Sequence, residues 1–145
     1  MMRLMTTFLT AGLLTTAAIA ADDPIAEREK LMKAIGDDMK TAAGMVQGKV
    51  AYDAGAAAAA MTSISEKAGR IAGLFPEGSG TGKTDALPVI WEQKADFDAK
   101  ADKLKTEAAA AAEAAAGGLD AFKASFVVAA QNCKGCHETY RKKDS

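Results

Sequence analysis

Residues 119–140 read LDAFKASFVVAAQNCKGCHETY. Apolar or chemically distinctive positions recur there in three- and four-residue steps: Leu119, Phe122, Phe126, Ala130, Cys133, His137 and Tyr140. That is the period of one face of an α-helix, not of a strand. Cys133 and Cys136 are three residues apart and His137 is four from Cys133, so a helix brings all three to one face. The face continues the stripe through Phe126 and Ala130, which directs it into the protein interior.

Three further stretches carry the same alternation. The first opens at Asp23-Pro24, a good N-cap followed by proline at the first helical position. Its stripe runs Ile25, Arg28, Met32, Ile35, Met39, Ala42, Val46, with Met45 off the stripe, and Gly48 ends it. The second starts near Asp53 and runs Ala57, Met61, Ile64, Ala68, Ile71, Phe75, stopped by Pro76. Residues 76–88 are rich in Gly, Ser, Thr and Pro and form a loop. The third stripe runs Ile90, Phe97, Ala101, Leu104, Ala108, Ala111, Ala115, with Lys94 its one polar break, and Gly117-Gly118 closes it. Alanine is abundant and β-branched residues are sparse, so strand signal is nearly absent. Two connections are short, which makes successive helices antiparallel neighbours. The expected fold is all-α: an antiparallel up-down-up-down four-helix bundle whose alanine-rich core has room for a flat cofactor.

Cys133-Lys134-Gly135-Cys136-His137 is the pattern that attaches a c-type haem. Two thiols add to the haem vinyl groups, and the histidine ligates the iron. The chain has 2 cysteines and 1 histidine, all inside this pentapeptide, so one covalent haem c uses the whole supply. Other uses of the motif fit poorly. A thioredoxin-like pair follows a strand, and none precedes it here. A structural zinc site needs about four ligands. A disulfide between residues i and i+3 strains a continuous helix.

With histidine exhausted, the strong ligand left for the opposite side of the iron is methionine, and His/Met is an electron-transfer pair. Met32, Met39, Met45 and Met61 all follow the leader, and spacing alone does not choose among them, since a methionine on an apolar stripe is ordinarily core packing.

The leader is residues 1–20: Arg3 supplies a positive start, Thr6 to Ala17 is apolar, and Ala18-Ile19-Ala20 is a cleavage pattern. Its apolar run is shorter than the ~20 residues of a membrane span. The expectation is a cleaved signal peptide, a mature domain over 21–145 and a periplasmic location. Export agrees with a cysteine pair consumed by haem, since free pairs oxidise outside the cytoplasm. The mature chain carries 17 basic and 19 acidic residues, a net charge of −2. That is too mild to steer binding to nucleic acid or a membrane surface.

At this point the sequence resembles the class II c-type cytochromes, the cytochrome c′ and cytochrome c-556 group. The likeness spans the mature chain and includes Arg28-x-x-Leu31-Met32-Lys33, Tyr52-Asp53, Leu74-Phe75-Pro76, Ile90-Trp91 with Phe97, and Cys133-Lys134-Gly135-Cys136-His137-x-x-Tyr140-Arg141. Val50 departs from a proline common before helix two, which affects only that turn. The resemblance implies that the residue four after the helix-one arginine faces the open side of the haem. Five-coordinate members often place Leu or Phe there; the low-spin c-556 type has a methionine that binds iron. Here the position is Met32, which the resemblance therefore favours as sixth ligand. It also implies that Arg28 approaches a haem propionate and that Arg141 lies near the proximal histidine.

The expected function is one-electron transfer by a haem held between His137 and Met32. The alternative is a five-coordinate cytochrome c′ that binds or buffers nitric oxide or carbon monoxide, with Met32 a lid over the iron. No second histidine is present to serve as a distal acid–base group, so an enzyme such as a peroxidase is not expected. Expected partners are redox proteins, whose identity the sequence does not carry, and the resemblance suggests a homodimer through the first two helices.

Overall fold

The structure is a computed structural model that describes residues 23–143. The signal-peptide expectation over 1–20 lies outside the described residues. Helix α1, Pro24–Val46, begins where the Asp23 carboxylate accepts from the Ile25 amide at 2.9 Å. It ends at Gly48, whose φ of 69° lets the chain turn back, with the Lys49 amide donating to the Gly44 carbonyl at 2.9 Å. Helix α2, Ala54–Ile71, is capped by Asp53, which accepts from the Ala56 amide at 2.7 Å. A single 3-10 turn, Ala72–Leu74, extends it toward Pro76.

The third stripe is divided. A short helix α3, Val89–Glu92, precedes the long α4, Lys94–Ala114, and Gln93 between them leaves helical geometry at φ −120° and ψ 40°. The break comes before the polar Lys94, not at it. All seven residues of this stripe are nonetheless buried, from Ile90 to Ala115. A 3-10 turn, Ala115–Gly117, and then Gly118 with φ 93° lead into α5, Leu119–Tyr140.

The four long helices run up, down, up, down, and each end of the bundle is pinned by named contacts. At one end the Arg28 guanidinium of α1 stacks over Phe75, which meets Phe97 of α4, which meets Tyr140 of α5. At the other end the Asp53 amide donates to the Met45 sulfur at 3.5 Å. There Tyr52 also donates to the Ala115 carbonyl at 2.6 Å and packs against Phe122. Helices α1, α2, α4 and α5 pack in sequence, each on the next, whereas α1 and α5 scarcely touch. Ala57, Ala108, Ala111 and Ala129 are fully buried, and their small side chains let α2, α4 and α5 approach closely. Met61, Ile64 and Phe122 fill the centre. Each such side chain contributes roughly 1.5–3 kcal/mol by leaving water.

Two stripe assignments are corrected. Met45 is buried and Val46 only partly so: the buried residues of α1 are Arg28, Leu31, Ile35, Ala42 and Met45. Leu119 is exposed at 37%. It is the first residue of α5, and no preceding helical turn exists for it to pack on.

Loop 76–88 is tied down at both ends. Trp91 Nε1 donates to the Pro76 carbonyl at 2.9 Å, and Gly80 passes so close that an added Cβ would stand 2.8 Å from the Trp91 ring. Farther along, the Leu87 amide donates to Tyr140 O and the Lys142 amide to Asp85 O, forming an isolated Ala86–Arg141 bridge. Among the described residues no helix is long and apolar enough to cross a membrane.

Candidate functional site

The gap between α1 and α5 is a cavity of about 430 Å³. That lies within the roughly 300–1,000 Å³ of ligand and cofactor pockets. Its α1 wall presents Arg28, Met32, Ile35, Gly36 and Met39. Its α5 wall presents Asn132, Cys133, Cys136, His137 and Tyr140. The floor is α4, through Phe97, Ala101 and Leu104, and the loop closes one end with Thr84 and Ala86.

The structure therefore brings Cys133, Cys136, His137, Met32 and Arg28 to one cavity. It separates the four methionines. Met32 and Met39 line the cavity and are half-buried, while Met45 and Met61 belong to the core. Stripe position set Met45 apart from Met32 and Met39 but not Met61, because a stripe does not tell a core face from a cavity face.

Both cysteines are free and half-buried. Burial pushes both thiols above their ordinary value, so neither is a ready thiolate on its own. His137 lines the cavity with part of its surface open to water. Burial of its ring, and secondly the Arg141 charge, hold it below its ordinary value. The imidazole is thus neutral at physiological pH, the form that ligates a metal.

Arg28 is the feature that tests the fit of a haem. It is 5% exposed, deep for an arginine. Its Nε donates to Pro24 O at 3.1 Å, and its Nη2 donates to Ser79 O at 2.8 Å and Ser79 Oγ at 3.0 Å. The guanidinium also sits 4.4 Å from the Phe75 ring centroid and 5.9 Å from that of Trp91. Nη1 is buried with no partner. A buried, unsatisfied donor on a cation is costly, and an anionic group in the cavity would satisfy it. A paired thiol set, a neutral imidazole, apolar walls and a cation at one end together suit a haem with its propionates.

The family model of cytochrome C′ matches residues 23–141. The chain belongs to the cytochrome c′ family. Cytochrome c′ of Rhodopseudomonas palustris is 38% identical over 132 residues, 88% of each chain. Cytochrome c-556 of Agrobacterium fabrum is 39% identical over 136 residues, 91% of this chain and 90% of the relative. The solved cytochrome c′ structure from Rhodopseudomonas palustris superposes with a TM-score of 0.79 at 35% identity, covering 86% of this chain and 100% of that one. Cytochromes c′ carry a covalently bound haem c with iron, and this chain has the two cysteines for it.

Several residues of the site were not legible as such. Phe75, Ile90 and Leu104 sit on apolar stripes, and a stripe does not distinguish a wall facing a cofactor from one facing another helix. Thr84 lies in the loop and is buried, only 8% exposed, with its Oγ1 accepting from the Ala86 amide at 3.2 Å. Arg141 lines the cavity as its resemblance to family members suggests, and its Nη2 stands 3.9 Å from Asp85 Oδ2.

Proposed function

We propose that this cytochrome c′ family member is a periplasmic one-electron carrier of the c-556 type, exported by a leader over residues 1–20 that is then removed. Cys133 and Cys136 hold the haem as thioethers, His137 and Met32 ligate its iron, and Arg28 Nη1 donates to a propionate.

The observation that supports this reading is that Met32 and His137 line opposite walls of one cavity. The Arg28–Phe75–Phe97–Tyr140 series ties the start of α1 to the end of α5. Met32 is one turn along α1 from Arg28, about 6 Å, and His137 is one turn back along α5 from Tyr140, about 4.5 Å. The helices are antiparallel, so this spacing favours Met32 over Met39 as the partner of His137. Met39 is about 16 Å along from Arg28, level with the helix beyond Cys133.

When bound, the haem supplies a one-electron Fe(III)/Fe(II) couple. The chain's residues make that couple useful for transfer: two fixed ligands leave little to rearrange, and a thioether with apolar surroundings favours the reduced form. Redox proteins are the partners of such a carrier. A homodimer through α1 and α2 remains part of the proposal, with their outer faces exposed.

The second reading is a five-coordinate cytochrome c′ that binds nitric oxide or carbon monoxide. The relatives support both, since some are named cytochrome c′ and others cytochrome c-556. The optical spectrum of the haem-loaded protein, reduced with and without carbon monoxide, separates them. A sharp low-spin spectrum untouched by carbon monoxide, which becomes high-spin and carbon-monoxide-sensitive in Met32→Ala, is expected. A spectrum that carbon monoxide transforms in the unmodified protein supports the gas-binding reading instead.

A further inference from the structure

Tyr140 is 2% exposed and lines the haem cavity. Its Oη donates to Asp96 Oδ2 at 2.5 Å. Satisfying a buried hydroxyl does not require a carboxylate. The other tyrosine, Tyr52, is satisfied by the Ala115 carbonyl at 2.6 Å. A carbonyl accepts a hydrogen bond; a carboxylate also accepts the proton itself. The Asp96 side chain is 55% exposed and faces Lys100 Nζ at 3.6 Å, so a proton arriving there has a way out to water.

Burial and the Asp96 hydrogen bond push the Tyr140 hydroxyl up to about 12, so it is fully protonated at neutral pH. A phenol that loses an electron becomes a strong acid. It gives up that electron readily only where a base is already in place. Tyr140 has one, and its ring is held edge-on to Phe97 at 5.2 Å between centroids, with Phe97 in turn on Phe75 at 4.6 Å.

We propose that Tyr140 is a second one-electron donor at the haem cavity, with Asp96 as the acceptor of its proton. This rests on the haem occupying the cavity and not on Met32 being its ligand. The oxidant that calls on it is a two-electron one of the peroxide class. Hydrogen peroxide takes two electrons and two protons as its O–O bond breaks, leaving two waters. One electron comes from the reduced haem, which ends ferric. The other leaves Tyr140, whose O–H proton passes to Asp96 and on to water, while the two protons taken up by the peroxide oxygens come from solvent. The product on the protein is a neutral Tyr140 phenoxyl radical, and the porphyrin is spared the second oxidation.

The test uses the haem-loaded, reduced protein mixed with one equivalent of hydrogen peroxide and freeze-quenched for electron paramagnetic resonance. It is run in the natural sequence and in a Met32→Ala background, so that a closed iron site is not mistaken for an inert tyrosine. Haem load is first confirmed by mass. In the Met32→Ala background, where the iron is open, a phenoxyl signal is expected with and without Tyr52→Phe, and its loss with Tyr140→Phe, where haem bleaching per peroxide consumed rises severalfold. Asp96→Asn should slow radical formation about a hundredfold, the low end for a positioned proton acceptor. An undiminished signal in Tyr140→Phe overturns the proposal. So does peroxide consumption without any phenoxyl signal. A protein that takes up no haem would instead count against the cofactor site itself.

Discussion

The Arg28 guanidinium lies 4.4 Å from the centroid of the Phe75 ring while one of its nitrogens, Nη1, is buried without a partner. Three of the side chain's polar contacts are spent inside the protein, on Pro24 and Ser79. Replacing it with Met keeps the length of the stem and removes the charge. Arg28→Met is expected to cost about 2–3 kcal/mol of stability, from the lost charged hydrogen bonds. It should also lower the haem midpoint potential by about 20–60 mV, since a nearby cation favours the reduced form and 59 mV is a tenfold change for one electron. Urea denaturation and a spectroelectrochemical titration measure the two effects. An unchanged potential would remove Arg28 from the neighbourhood of a propionate.

The methionines should respond in three ways. Met61 is fully buried away from the cavity, so Met61→Ala is expected to cost about 2–5 kcal/mol with the haem spectrum intact. Met39 lines the cavity but stands well off the His137 level, so Met39→Ala should leave the low-spin spectrum in place and cost less. Only Met32→Ala should change the spin state. A spin change in Met39→Ala would move the ligand two turns along α1.

Much of this molecule is written in its apolar period. Every residue of the second and third stripes, from Ala57 to Phe75 and from Ile90 to Ala115, is buried. Asp23 and Asp53 cap the helices they precede. The Cys133–Cys136–His137 face reaches the cavity because its motif fixes both spacing and chemistry. What escaped has no periodic trace. The break at Gln93 lies inside a seven-residue interval between Ile90 and Phe97 that keeps helical phase, with no Gly or Pro to mark it. The pairing of Leu87 with Tyr140 and of Asp85 with Lys142 is made by backbone groups, which are the same at every residue. The bond of Tyr140 to Asp96 joins positions 44 residues apart on different helices.

The α4–α5 corner depends on one glycine. Gly118 has φ 93° and ψ 179°, a region essentially closed to other residues, although nothing stands within 4 Å of where its Cβ would be. The penalty in Gly118→Ala is therefore conformational, about 1–3 kcal/mol. Gly48 with φ 69° is in the milder left-handed region and also has open space around it, so Gly48→Asn should cost less. Thermal unfolding of the two variants ranks them, and equal losses would contradict the backbone account.

Alkaline stability should depend on Tyr140. Burial first, and the Asp96 hydrogen bond second, raise its hydroxyl from the ordinary 10.0 to about 12. A group whose folded value is raised holds its proton longer in the native state than in the unfolded chain, so its contribution is complete below pH 10 and fades as pH rises toward 12. Asp96 is the mirror case: its carboxylate is held below the ordinary 3.8, mainly by the Tyr140 hydrogen bond. Its contribution is present above that value and fades as pH falls through the depressed one. Tyr140→Phe removes both effects at once. Urea midpoints of the natural sequence and Tyr140→Phe should differ most between neutral pH and pH 9 and converge by pH 12. A gap that stays constant into strong alkali would mean that the hydroxyl ionises without cost, and that the Asp96 bond does not hold its proton.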